Sequence, residues 1–207
     1  MSSQVRIFSA ALAVAVVGGL AAAAVSQAEG RAPTAAYAPD GKLLFPKDYR
    51  TWVYLSTGMD MSYSDAPGGG DRHLFDSVFV NREAYDAYQK TGTWPEKTIF
   101  MLEVRKGESR GSINKKGQFQ GDRVGLEAHV KDTKRFKSGW AFFPFNGEGP
   151  SAALPQTSAC NTCHEQHGAV DTTFVQFYPT LIPKAQEMKT FSAAYLAEEA
   201  KAKADAR

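Results

Sequence analysis

Two thiols three positions apart, followed at once by an imidazole, form the run Cys160-Asn161-Thr162-Cys163-His164. That pattern is the one used for covalent haem attachment. Both sulfurs must reach the two vinyl groups on one edge of a porphyrin, while the neighbouring imidazole gives iron its proximal nitrogen. The expectation is one haem c, bonded through Cys160 and Cys163, with His164 as the iron ligand. Three other chemistries use similar residues. A structural zinc site needs four closed ligands, and near the motif only His167 adds to Cys160, Cys163 and His164. A thioredoxin-like pair follows a strand and opens a helix, whereas Leu154-Pro155-Gln156-Thr157-Ser158-Ala159 reads as a polar, proline-bearing loop. A disulfide between the chain's 2 cysteines is compatible with an oxidising compartment but gives the adjacent histidine no role.

A haem attached in this way is completed outside the cytoplasm, and the N-terminus reads as an export signal. Arg6 is followed by an almost unbroken Ala/Val/Leu/Gly stretch from Ile7 to Val25, and Ser26-Gln27-Ala28 has the small-x-small form of a cleavage site. Residues 1–28 are therefore expected to be a signal peptide, 29–39 a disordered lead, 40–183 the haem domain and 184–207 a helical tail. The rival for the first segment is an uncleaved anchor, since a bilayer needs ~20 apolar residues; its Ala and Gly content makes it weakly hydrophobic. Export into a bacterial periplasm, with no stable membrane insertion after cleavage, is the expectation.

The full chain carries a net charge of +2, and loss of Arg6 with the leader leaves about +1. So small a charge argues against a nucleic-acid partner. With 43% hydrophobic and 12% aromatic residues the chain can build a core, and its length suits one domain. The cluster Arg105, Lys106, Arg110, Lys115, Lys116 and Arg123 lies among Gly and Ser and reads as a solvated loop.

The elements that must position the motif are mostly strands. Residues 51–55, 74–80, 98–104, 123–130 and 140–145 are short, rich in aromatic and branched side chains, and separated by Gly, Asp, Asn or Pro. That spacing predicts an antiparallel sheet and a mainly β, α+β fold. One helix interrupts it, capped by Asn81, with Ala84, Tyr85 and Tyr88 on one face and Gly92 at its end. A second helix is expected from about Pro183 to Ala204, fraying at its charged end.

The chain resembles the family of cytochrome P-460 and cytochrome c′-beta. The likeness is carried by Gly41-Lys42-Leu43-Leu44-Phe45-Pro46-Lys47-Asp48-Tyr49-Arg50-Thr51-Trp52, Tyr88-Gln89-Lys90-Thr91-Gly92, Gly121 to Asp132, Gly139-Trp140-Ala141-Phe142-Phe143 and, after the haem motif, Phe174-Val175-Gln176-Phe177-Tyr178-Pro179. The resemblance implies a mostly antiparallel sheet, a haem on Cys160 and Cys163, His164 as proximal ligand, an open or apolar distal face, and commonly a homodimer. Hydroxylamine-oxidising relatives are similar to one another in a lysine bonded to the porphyrin edge, directly before a Glu. Here that place is held by Leu102, before Glu103. Lys97 has the wrong strand parity and Lys106 lies ~13 Å along the strand. An arginine of those relatives falls at Asp76. Glu127 matches a glutamate that serves them as proton acceptor near the distal pocket.

Leu102 and its same-face neighbour Phe100 are candidates for an apolar distal wall, which excludes anions and water and admits small neutral diatomics. Met59, Met61 and Met101 are candidates for a thioether ligand, although a methionine in a sheet core is usually filler. His73, His129 and His167 could make a bis-imidazole haem, but His167 is too near the motif, and the other two read as surface or hydrogen-bonded residues. Three functions follow: a pentacoordinate haem protein that binds nitric oxide or transfers electrons to an unknown redox partner; an oxidoreductase of hydroxylamine or another reduced nitrogen compound with Glu127 as proton acceptor; and a Met-ligated, low-spin electron carrier. The missing lysine favours the first.

Overall fold

The computed structural model describes residues 35–62 and 73–206. The expected signal peptide and most of the expected lead lie outside those residues. Runs of β-branched and aromatic side chains form five strands among the described residues: β1 (Val53–Met59), β2 (Leu74–Val80), β3 (Ile99–Glu108), β4 (Phe119–Lys131) and β5 (Trp140–Pro144). They pair in sequence order, every neighbour antiparallel, into one sheet. Consecutive strands usually lie side by side, which makes that order the expected one. The structure thus has the mainly β, α+β fold that the sequence predicts.

Among the described residues four α-helices accompany the sheet: α1 (Arg82–Thr91), α2 (Ala159–His167), α3 (Ile182–Met188) and α4 (Ala193–Asp205). Asn81 begins α1 as expected, but its side chain is used elsewhere: Oδ1 accepts from the Ile99 backbone N–H at 2.8 Å and ties the helix start to β3. Gly92 ends α1 at φ 71°, a left-handed position that glycine adopts without steric cost.

Period-2 alternation gives the sheet two faces with separate cores. On the back face Ile99, Met101, Leu126, Ala128, Val130, Ala141 and Phe143 pack against Leu43, Tyr49 and Trp52 from the N-terminal segment. On the front face Val80, Phe100 and Trp140 pack against Tyr88 of α1, Trp94, and Val170, Val175, Tyr178, Leu181 and Ala185 from the C-terminal third. Glu103 belongs to the back face. Only 1% exposed, it accepts from Tyr49 Oη and is paired with Arg50 and Arg105, which satisfies a carboxylate that burial alone would penalise.

Three expectations are corrected. The single C-terminal helix is two helices, because Lys189 turns left-handed at φ 56° and Ser192 starts a new helix by accepting from the Tyr195 N–H at 3.1 Å. No glycine or proline marks that break. Within the lead, residues 35–39 are packed rather than loose: Tyr37 bridges to Leu43, and Arg135 lies 4.0 Å from its ring centroid. Arg105 also leaves the expected solvated cluster, donating to the Gly121 carbonyl at 2.6 Å.

Candidate haem site

Helix α2 explains the motif's spacing. Positions i, i+3 and i+4 share one helix face, so Cys160, Cys163 and His164 stand together on α2. Asn161, the residue inside the motif that is buried, secures the helix start: its Nδ2 donates to the Pro155 carbonyl at 3.1 Å and to Ser158 Oγ at 3.0 Å. Both cysteines are unpaired thiols of intermediate exposure. Burial and the nearby Glu127 carboxylate push the Cys160 thiol up.

His164 is held on every side. Its Nδ1 lies 2.8 Å from the Thr172 carbonyl oxygen. A carbonyl only accepts, so Nδ1 carries the proton, and in the neutral ring Nε2 keeps a free lone pair. Burial pushes the imidazole down to about 4, with the Thr172 hydrogen bond opposing, so the ring is neutral near pH 7. Phe174 lies 4.0 Å from it, centroid to centroid, with Phe142 and His129 edge-on at 4.8 and 4.9 Å. His129 is not a surface residue but is buried. It stacks on Phe142 at 3.9 Å and 6° and fills the wall behind His164, and burial holds it well below the usual imidazole range. His73 and His167 pair outside with Asp60 and Glu198.

In front of His164 opens a cleft of about 410 Å³, within the range of small-molecule and cofactor sites. Strand register builds one wall of it. Val78 of β2 faces Leu102 of β3, which faces Glu127 of β4, and one pair along, Phe100 faces His129, which faces Phe142 of β5. All six line the cleft, with Phe174, Phe177 and Tyr178 from the C-terminal third. Phe100 and Leu102 thus both face it. Asp76, in the position of the relatives' arginine, also lines it, beside Gly58 and Met61. Of the three methionines, Met61 alone reaches the cleft; Met101 is buried in the back core and Met59 is exposed. Val78 and Phe142 went unread in the sequence because only strand register shows which residues oppose Leu102 and His129.

The donor set fits a haem. A flat, apolar prosthetic group needs aromatic and aliphatic walls, a neutral imidazole with one free nitrogen, and thiols on the same helix face, and the cleft and α2 supply each. Among the described residues no group of three His, Cys, Asp or Glu is placed to hold a bare metal ion.

Burial alone raises the Glu127 carboxyl, and among the described residues no partner offsets it. A raised carboxyl makes its full contribution to stability below the unfolded value of ~4.3 and loses it as pH rises through the folded value. Glu127→Gln is therefore expected to be more stable than the parent near pH 7, with the difference shrinking near pH 4. Urea unfolding at both values checks this, and an equal difference at both would refute it.

Sheet, aromatic cleft and histidine-bearing helix together define a haem-binding protein of the sheet-based kind. The chain belongs to the cytochrome P460 family, whose model matches residues 46–175, from just before β1 to just beyond the motif. No curated protein matches the chain. Haem is the cofactor that membership implies.

Proposed function

We propose that the chain is an exported mono-haem c-type cytochrome that binds a small neutral ligand, nitric oxide above all, and passes single electrons. Cys160 and Cys163 would hold the haem as thioethers, and His164 Nε2 would be the proximal nitrogen. When bound, the group would supply a redox-active iron able to take a small ligand. The chain does the rest. The Thr172 carbonyl fixes the tautomer and plane of His164, as outer partners of metal-bound histidines do. Phe142, His129 and Phe174 prevent the ring from turning. Leu102, Val78 and Phe100 offer no hydrogen bond to a polar or anionic ligand, so water and anions gain little there.

The observation that supports this reading is that Leu102 lines the cleft between Val78 and Glu127, with no lysine lining the cleft among the described residues. A leucine cannot bond to a porphyrin edge. One observation favours the second reading, oxidation of hydroxylamine or a similar nitrogen compound: Glu127 lies directly opposite Leu102, with a carboxyl raised by burial and fit to accept a proton. Export to a periplasm, with an unidentified redox partner and pairing of two chains, completes the proposal.

Optical spectra of ferric and ferrous protein, alone and with nitric oxide or hydroxylamine, test it. The expected result is a high-spin spectrum that changes on nitric oxide addition and not with hydroxylamine. A strongly red-shifted ferrous Soret band would instead support the enzyme. Sharp low-spin bands would support a sixth protein ligand, for which Met61 is the placed candidate.

A further inference from the structure

We infer that Lys131 is a positioning residue for the proximal histidine, acting through Asp171 and the Thr172 carbonyl; the inference rests on the haem reading above. On the front face of β4 the order is Glu127, His129, Lys131, so one strand supplies the distal carboxyl, the wall behind His164, and a cation. The Lys131 side chain is only 16% exposed. A charge so covered needs partners: it is ion-paired with Asp171, donates to the Trp94 carbonyl at 2.8 Å and lies over the Trp140 ring, 5.7 Å from its centroid.

What Asp171 holds is the segment that touches His164. Asp171 and Thr172 are both left-handed, at φ 48° and 58°. Non-glycine residues persist there only where the surroundings over-determine them, and two in succession turn the chain sharply back toward α2. That turn brings the Thr172 carbonyl to His164 Nδ1. Gly168 leaves it room, since a Cβ there would meet the His164 carbonyl oxygen and the Thr172 backbone at 2.6–2.7 Å. The turn is closed on itself by the Val170–Thr173 bridge. It is pinned to the sheet by Lys131, with Trp140 Nε1 contributing a longer contact of 3.4 Å to Asp171.

A firmly placed acceptor on Nδ1 makes an imidazole a stronger donor through Nε2. Pinning the turn from β4 therefore sets the donor strength of His164, without Lys131 touching it. The pair Lys131→Met, Asp171→Asn removes both charges together and leaves neither unpaired. In the haem-loaded protein the ferrous iron–histidine stretching band is expected to move to lower frequency and broaden, and the midpoint potential to rise. Lys131→Arg, which keeps the charge, should leave both near the parent values. Should the double variant fold poorly, Lys131→Gln retains a donor for Trp94 and is expected to shift both quantities the same way by less. Unmoved band and potential in folded Lys131→Gln, or in the double variant, would overturn the inference. A parent protein without haem or without an iron–histidine band would sink the haem reading and this inference with it, whereas a normal parent with unmoved variants sinks this one alone.

Discussion

His164→Ala is expected to keep its haem and lose its spectrum. The two thioethers to Cys160 and Cys163 do not involve the imidazole, so peroxidase staining on a denaturing gel should persist at the parent's intensity. Removing the ring strips the imidazole that stands beside both cysteines on α2. The packing around it sharpens the test. His129 lies 4.9 Å away and is neutral, which makes it the nearest imidazole to the space left empty. A second variant, His164→Ala with His129→Phe, removes that substitute and keeps the stacking area on Phe142. Added imidazole should restore a parent-like spectrum in both variants by entering the vacated space. An unchanged spectrum in the double variant would show that His164 is not the proximal ligand.

The largest expected loss of stability that spares the site is Phe143→Ala. Phe143 is fully buried in the back core, within ring contact of Tyr37 and Phe136. Truncation forfeits the transfer of the ring and leaves a cavity, together worth about 3–5 kcal/mol. Its neighbours on β5, Phe142 and Pro144, point to the other face. The ferric spectrum of the folded variant should therefore match the parent while its urea midpoint falls. Phe143→Leu, closer in volume, should cost less than ~1.5 kcal/mol. A changed spectrum at low urea, or a loss below 1 kcal/mol on the scale of single-site effects, would refute the separation of the two faces.

Much of this was legible in the residues. The residues mark the bounds of β2 and the place of the other four strands, because branched and aromatic runs broken by Gly, Asp and Pro leave little else for the chain to do. The haem motif was legible as chemistry, since its spacing is dictated by the porphyrin. Other features carry no local signal. Lys189 breaks the C-terminal helix in a left-handed conformation that no lysine announces. Asp171 and Thr172 do the same at the turn that matters most for His164. His129 was read as a surface or hydrogen-bonded residue because a lone histidine usually is one, although its parity with Glu127 on β4 placed it on the cleft side. That Leu102 meets Glu127 depends on the register of two strands separated by a long hairpin, and pairing of that kind is set by the whole sheet.

Because β3 turns Phe100 and Leu102 one way and Met101 and Glu103 the other, its odd and even positions answer to different demands. A change at 102 alters what meets the ligand and leaves the hidden side untouched; a change at 101 does the reverse. Relatives can therefore diverge in chemistry one alternate position at a time while inheriting the same scaffold. The same alternation sets a limit, for a single inserted residue in that strand would exchange the two sets at once and present a glutamate with its tyrosine and arginine partners to the porphyrin side.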